Sequence, residues 1–231
     1  MTIQMAWGIS IVGALISASI AIAFVICMER LRKPKLRLRL IETRIRDYQD
    51  NVKRPARRLR VCELKLENHN LHRCLKWCMS RNVAVHCYGY ITFHNKDGDN
   101  VINDQMPIKW AKLPRVEVHP GGTKTEHSLY EVSYMDVHPG EKEILQVAAR
   151  FDNDSECYGW NNESYYYLWR NPNWELEGPE DYFVKVKVVS AGLRCEDVFK
   201  LHIGKEPDDF KLEEVEKEDK DGILKIQEFG E

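Results

Sequence analysis

The chain has 231 residues, of which 43% are hydrophobic and 30% charged, with a formal net charge of −2. This composition excludes a wholly disordered chain, a collagen-like chain and a transporter with many membrane spans. The charge is unevenly divided: residues 1–28 hold none, residues 29–60 hold 13 Lys and Arg against 4 Asp and Glu, and residues 61–231 hold 21 against 32. The sequence therefore predicts an apolar leader, a basic segment and an acidic body.

Residues 5–27 form an apolar stretch of 23 residues whose only polar side chains are serines. About 20 apolar residues in a helix cross the roughly 30 Å hydrocarbon layer, so residues 1–28 are predicted to be a transmembrane anchor. A cleaved signal peptide is the alternative, since the small residues around Ala21 resemble a cleavage site, but the usual positive charge before them is missing. Gly13, Ser17 and Ala21 recur at four-residue spacing, which predicts at most weak self-association of the anchor.

The basic segment, residues 29–57, predicts the orientation of the chain. Eight Lys and Arg lie between residues 30 and 46, whereas no charged side chain precedes the apolar stretch. Because such charges stay on the cytoplasmic side, everything after residue 28 is expected in the cytoplasm. Cations near a bilayer are also attracted to anionic headgroups. The residues predicted to lie at the lipid surface are Arg30, Arg32, Lys33, Lys35, Arg37 and Arg39. Alternating leucines predict a strand over 36–40, and the acidic body argues against nucleic acid as a partner.

The body, residues 58–204, alternates apolar and polar side chains with the period of two that is typical of strands. Odd positions of 83–93 apart from Gly89, and even positions of 182–188, are apolar, and the lysines between the latter are expected to face water. Five further strands are predicted at 60–67, 108–113, 129–137, 144–151 and 198–203. Turns containing Gly or Pro separate them, and there is no Gly-rich phosphate loop. The sequence therefore predicts a mainly β protein, an antiparallel β-sandwich behind one transmembrane helix.

Several stretches of the body resemble the strands of prokaryotic immunoglobulin-like modules. These stretches are 64–68, 87–91, 137–141 and 177–186. The stretch 156–165, followed by 169–172, is more closely similar to a set of uncharacterised archaeal and bacterial single-pass membrane proteins. The resemblance covers most of residues 60–203. It implies an immunoglobulin-like sandwich and carries no assigned activity, so it transfers no catalytic residue.

Residues 71–81 break the β pattern, because their apolar side chains recur at helical spacing. A short helical crossover is predicted there, and its basic face with Trp77 is a candidate for contact with a membrane surface. Cys74 and Cys78 fall on the apolar face, four residues apart, without the second distant pair of a zinc site. No metal and no cofactor is therefore predicted.

The cellular compartment of the body determines whether the seven cysteines are expected to be reduced or disulfide-bonded. In the cytoplasm they are expected to be reduced. Outside the cell, the cysteines most suited to pair are Cys62, Cys87, Cys157 and Cys195. The two Asn-X-Ser patterns, at Asn153 and Asn162, have a meaning as glycosylation sites only on that side.

Residues 158–174 hold seven aromatic side chains together with Asn and Arg, a composition typical of a recognition loop. The alternative is that these rings pack against the sandwich as a small core of their own. In an extended run, Tyr165 and Tyr167 share one face and Tyr166 points inward. The residues predicted to contact a partner are Tyr165, Tyr167, Trp169 and Arg170.

Residues 205–231 are predicted to be a flexible acidic tail, since 206–231 hold 11 acidic and 4 basic residues. A calcium loop there is rejected because Lys217 would occupy the first ligand position. No catalytic signature occurs, so the chain is predicted to be a non-enzymatic recognition module tethered to the membrane and facing the cytoplasm. The alternative is an extracytoplasmic domain that binds a glycan or a protein and is anchored by the same helix.

Overall fold

The protein consists of one long N-terminal helix followed by two antiparallel sheets. The computed structural model describes residues 2–48, 57–77, 79–102, 104–113, 116–119, 122–125, 133–167 and 169–216, with side chains from residue 14 onward except for 116–125. Helix α1 spans Thr2–Arg32. The fifteen strands among the described residues are β1 (Leu36–Leu40), β2 (Arg44–Tyr48), β3 (Arg57–Asn68), β4 (Ala84–His94), β5 (Met106–Pro107), β6 (Lys109–Trp110), β7 (Val116–His119), β8 (Gly122–Thr125), β9 (Met135–Val137), β10 (Lys142–Phe151), β11 (Cys157–Gly159), β12 (Glu175–Leu176), β13 (Asp181–Ser190), β14 (Leu193–His202) and β15 (Lys211–Glu214). Short 3-10 helices lie at Asn162–Tyr165, Pro172–Trp174 and Pro207–Asp209.

Helix α1 confirms the predicted N-terminal apolar helix. Its part Ala14–Arg32 is long and apolar enough to cross a membrane. The helix continues past the predicted end at residue 28 and stops just before Pro34, which disfavours helical backbone at the residue before it. Only three residues, 33–35, separate α1 from strand β1.

The two sheets have different strand orders. The first runs β1-β3-β10-β11-β12, with β2 also on β3 and β6 on β10. The second runs β15-β14-β13-β4-β5, with β9 on β4, and β7 pairs with β8 apart from both. Every paired strand is antiparallel to its neighbour. The predicted mainly β fold is therefore confirmed, and each of the seven predicted body strands overlaps an observed one, although 129–132 lie outside the described residues.

The main core lies between the sheets, and it follows the predicted alternation on β13. All four even positions of 182–188 are buried in it, opposite side chains from β3 and β10. Central members of this core are Leu64, Leu66, Ile91, Phe93, Leu145, Val147, Val184 and Val186. The expectation that the lysines between them face water is wrong for Lys185, which is buried and forms an ion pair with Glu196 at 2.7 Å.

Strand β4 changes phase near its start. Its odd positions are buried from Cys87 onward, as predicted, but Ala84 is buried and Val85 exposed. The register against β9 shifts between Ala84 and Cys87, and His86 adopts a left-handed φ of 50°. A bulge of this kind inserts one residue and turns the following side chains to the other face.

The predicted helix over 71–81 is wrong: the described residues there form hydrogen-bonded turns. Within this loop, the amides of Leu75 and Lys76 both donate to the carbonyl of His72, at 2.9 and 3.2 Å. Its ends are hydrogen-bonded to the chain that follows α1, as described below, and these outside bonds compete with a regular helix.

The second sheet extends past residue 204, the predicted end of the sandwich. Strand β15 pairs with β14, and Phe210 is buried in the main core. Arg150 holds the preceding turn by donating to the carbonyl oxygens of Gly204 at 2.7 Å and Lys205 at 3.2 Å. The prediction of a flexible tail from residue 205 is therefore wrong for 205–214, and the tail beyond residue 216 lies outside the described residues.

Candidate functional site

The aromatic loop, residues 158–174, is folded against the first sheet and is not extended. A 3-10 helix occupies Asn162–Tyr165, and Ser164 closes it by accepting from the Asn161 amide and donating to the Asn161 side chain, both at 3.3 Å. The three consecutive tyrosines therefore do not alternate between two faces. Tyr166, predicted to point inward, is 53% exposed, and Tyr167 is 42% exposed.

Trp169 lies at the centre of an aromatic cluster made of Tyr48, Phe151, Trp160, Tyr165 and Trp169. Its ring stacks on Trp160, with centroids 4.7 Å apart and planes at 5°. It also makes edge contacts with Tyr165 at 4.2 Å and Tyr48 at 5.5 Å. Its backbone has a left-handed φ of 73°, which L-residues rarely adopt and which the ring contacts must hold in place.

This cluster covers the outer face of the first sheet and forms a second core. Leu59, Val61 and Ala149 are buried beneath it. The sequence left open whether these rings pack as a small core of their own. Trp160 and Trp169 do so. Burial also raises the pKa of the Tyr165 hydroxyl to about 12.

Arg170, another predicted contact residue, is engaged inside the domain. Its guanidinium donates to both carboxylate oxygens of Asp154, at 2.7 and 3.0 Å, and lies 4.6 Å from the centre of the Phe151 ring. Of the four predicted contact residues, Tyr167 is the one with an exposed side chain. The exposed tip of the loop is therefore Tyr166 with Tyr167.

A buried lysine lies beneath Tyr165, and sequence reasoning missed it. The Nζ atom of Lys109 is 5.5 Å from the centre of the Tyr165 ring and donates to Gln146 Oε1 at 2.8 Å. Gln146 in turn donates to the buried carboxylate of Glu63 at 2.8 Å, which Arg46 also contacts at 3.4 Å. Burial, aided by the positive charge of Arg46 and opposed by Glu63, lowers the pKa of Lys109 to about 7. This network fixes the underside of the loop.

A polar cleft of about 670 Å³ opens at the end of the second sheet where β13 begins and β14 ends. It contains a hydrogen-bonded pair, His202 with Asp181, and Lys200 also contacts Asp181 at 2.8 Å. Burial opposes ionisation of Asp181, but Lys200 and His202 outweigh it and hold the pKa of that carboxyl below its usual range. The described residues that line the cleft include no Ser, Thr or Cys, the hydroxyl and thiol nucleophiles that a His–Asp pair activates.

The described cysteines are all free thiols: some are exposed, some are buried, and Cys195 is partly buried. Burial raises the pKa of Cys62 to about 12 and that of Cys157 well above its usual range. Buried, protonated thiols behave as small apolar side chains and react slowly. Cys74 is exposed, with Sγ 3.2 Å from His72 Nδ1. No group of three metal-ligating side chains occurs among the described residues, and Cys78 is not one of these.

Asn162, in one of the two Asn-X-Ser patterns, is held inside the loop. It is 7% exposed, and its side-chain amide donates to Ser133 Oγ at 2.9 Å. Attachment of a glycan would require this part of the loop to open.

The six cations predicted at the lipid surface are all exposed. Arg37 and Arg39 lie on β1, and Arg39 contacts Glu67 at 3.3 Å, so the charge of Arg39 is partly compensated within the sheet. Residues 69–83, which we term the collar loop, lie beside the end of α1. The Asn82 amide donates to the Arg32 carbonyl at 2.7 Å, and Arg81 donates to the Lys33 carbonyl at 2.7 Å.

Comparison of the chain with protein-family models, with curated proteins and with solved structures found no match.

Proposed function

We propose that this chain is a single-pass membrane protein whose sandwich is a non-enzymatic recognition module for a protein partner on the cytoplasmic side. The observation that carries the proposal is the pair of exposed side chains, Tyr166 and Tyr167, on a loop that Trp169 braces from below. Tyrosine offers a large contact area with few rotatable bonds and a polar tip. A loop already fixed by its own core loses little further entropy on binding.

Membrane attachment is supported by α1, and the cytoplasmic orientation by the charges that follow it. The exposed cations Arg30, Lys33 and Lys35 lie just beyond the apolar stretch, where positive charge favours the cytoplasmic side. The extracytoplasmic alternative draws on the glycosylation patterns, and the buried, hydrogen-bonded Asn162 weakens that support.

We also propose that the sandwich is of the immunoglobulin-like type. Such domains join their second and fifth strands in one sheet and their third, sixth and seventh in the other. The pairs β3 with β10 and β4 with β13 with β14 fit this order. Tyr182, near the start of β13, donates its hydroxyl to the carbonyl of Glu177 at 3.0 Å, like the tyrosine corner of these domains.

The orientation is tested by labelling Cys74, the exposed cysteine of the collar loop. In intact cells, a membrane-impermeant maleimide should leave the protein unlabelled until the membrane is opened. Cys74→Ser is the control that assigns the signal to this thiol. Labelling of Cys74 in sealed cells would show that the sandwich faces outside.

The recognition surface is tested with a photo-crosslinking amino acid placed at position 167 in the full-length chain in its native membrane. A discrete crosslinked product should form there and disappear when Tyr166→Ser is added. The matched control is position 134, because Tyr134 is 54% exposed and its ring packs against His86 and Tyr88 of the second sheet. Equal products from both positions, or none from position 167, would contradict the proposal.

A further inference from the structure

Both ends of the collar loop are fastened to the chain at and just after the end of α1. Besides the bonds from Asn82 and Arg81, its His69 amide donates to the Lys35 carbonyl at 2.9 Å. Arg81 Nη1 also donates to the Leu31 carbonyl at 3.2 Å. The last carbonyls of a helix have no partner within the helix, so the collar loop caps α1 and is held at the same level.

That level coincides with the headgroup layer of a bilayer that α1 crosses. The apolar stretch ends at Cys27, and a helix rises about 1.5 Å per residue, so Arg32 lies about 7 Å beyond the hydrocarbon. The headgroup region on each side is about 5–7 Å thick. The carbonyls that bind the collar loop therefore lie where lipid headgroups meet water.

The collar loop carries one large exposed ring between its two fastened ends. Trp77 is 85% exposed, more than any of the large apolar side chains described on α1. Leu71 and Met79 are buried and anchor the loop on either side of it. Arg73 and Lys76 are exposed beside the ring, and residues 69–82 contain no Asp or Glu.

We propose that the collar loop is a second membrane contact, with Trp77 inserted among the headgroups of the leaflet that α1 leaves. Indole rings favour this layer because one end is apolar and the N–H can still bond to water or phosphate. The nearby cations Arg73 and Lys76 suit anionic lipids. Two contacts, α1 and Trp77, fix the tilt of the sandwich, which one helix alone leaves free to rotate. The proposal depends on α1 being the membrane anchor.

The test uses the full-length chain in nanodiscs of phosphatidylcholine and phosphatidylserine, with and without lipids brominated near the headgroup. The emission of Trp77 is the difference between the natural chain and Trp77→Phe, which should keep the same unfolding midpoint because the ring is exposed. We expect this difference emission to be blue-shifted and to lose intensity when brominated lipids are present. The matched control is Tyr166→Trp in the Trp77→Phe background: its added emission, measured as the difference from Trp77→Phe alone, should not respond to bromine.

Two results would overturn the proposal. Difference emission at the wavelength of exposed tryptophan, unaffected by bromine, would place Trp77 in water. Blue-shifted emission that bromine does not reduce would mean that a protein surface, such as a second copy, covers the ring. Failure of α1 as the anchor is distinguishable, because the chain would then not co-purify with the nanodiscs at all.

Discussion

Truncating Trp169 separates the two roles that the aromatic loop was predicted to have. In Trp169→Ala, the stack on Trp160 and the edge contacts with Tyr48 and Tyr165 are lost together. Removing a fully buried tryptophan or phenylalanine costs about 3–5 kcal/mol. Trp169 is only partly buried, and its indole N–H has no acceptor among the described residues, so part of this cost is offset. We expect the free energy of unfolding to fall by about 2–3 kcal/mol.

The backbone of Trp169 adds a second, less usual expectation. At a φ of 73°, alanine keeps the left-handed strain of tryptophan, whereas glycine relieves about 1 kcal/mol of it. Trp169→Gly should therefore be more stable than Trp169→Ala, although glycine normally destabilises a folded chain. Tyr166→Ala is the matched control, and because the side chain is exposed its stability should stay within about 0.5 kcal/mol of the natural chain.

The measurement is urea unfolding of the full-length chain in detergent micelles, followed by tryptophan fluorescence and by far-UV circular dichroism. Near-UV circular dichroism gives a second readout, since the stacked indoles of Trp160 and Trp169 lie in a fixed asymmetric arrangement. A change below about 0.5 kcal/mol in Trp169→Ala would refute the second core and return Trp169 to the recognition surface. An alanine variant more stable than the glycine variant would refute the left-handed backbone.

Three further predictions concern the sandwich. A fragment of residues 34–216 should unfold cooperatively in denaturant, as followed by circular dichroism. The shorter fragment 58–204 should not, because it lacks β1, β2 and β15. Equal cooperativity of the two fragments would show that these three strands do not belong to the folded sandwich. Since the pKa of Lys109 falls from 10.5 to about 7 on folding, the unfolded chain binds a proton between these values that the folded chain does not. Urea titrations from pH 8.5 down to 7 should therefore show stability decreasing by up to about 1.4 kcal/mol per pH unit, and Lys109→Met should lack this slope. Tyr182→Phe should lose about 1–1.5 kcal/mol in the same assay by removing the hydrogen bond to Glu177, and an unchanged midpoint would contradict that role.

Sequence patterns predicted the elements whose side chains follow one simple period. Strand β13 is an example, because each even position faces the core and the ladder to β4 and β14 is regular. The same reasoning failed at His86, where a bulge changes the phase, and at Lys185, which is buried by its ion pair with Glu196. Both exceptions depend on partners distant in the chain, which a local period does not contain.

The candidate site was predictable in composition and not in geometry. Seven aromatic residues in 17 identified the loop, but which of them face outward depends on the 3-10 turn closed by Ser164 and on the outer face of the first sheet. The proposed membrane contact of Trp77 rests partly on its basic surroundings, which are visible in the sequence. It rests also on the bonds from Asn82 and Arg81 to the end of α1, which join residues about 50 apart in the chain. Helical spacing over 71–81 predicted the wrong local structure there.

If α1 anchors the chain as proposed, the short connection 33–35 holds the sandwich at a fixed distance from the membrane. Asn68 is near the membrane end of β3, and Leu59 lies beneath the aromatic cluster. The nine residue steps from one to the other span about 30 Å at roughly 3.3 Å per residue. Tyr166 and Tyr167 are thus held at about this height and cannot sweep through a large volume, as they would on a flexible linker. The contact site of a membrane-bound partner at a matching height lies in the same thin layer as these two tyrosines. The number of partner molecules per unit area of membrane then governs how often the two meet. Inserting Gly-Ser repeats at 33–35 would remove this selection by height without altering either binding surface.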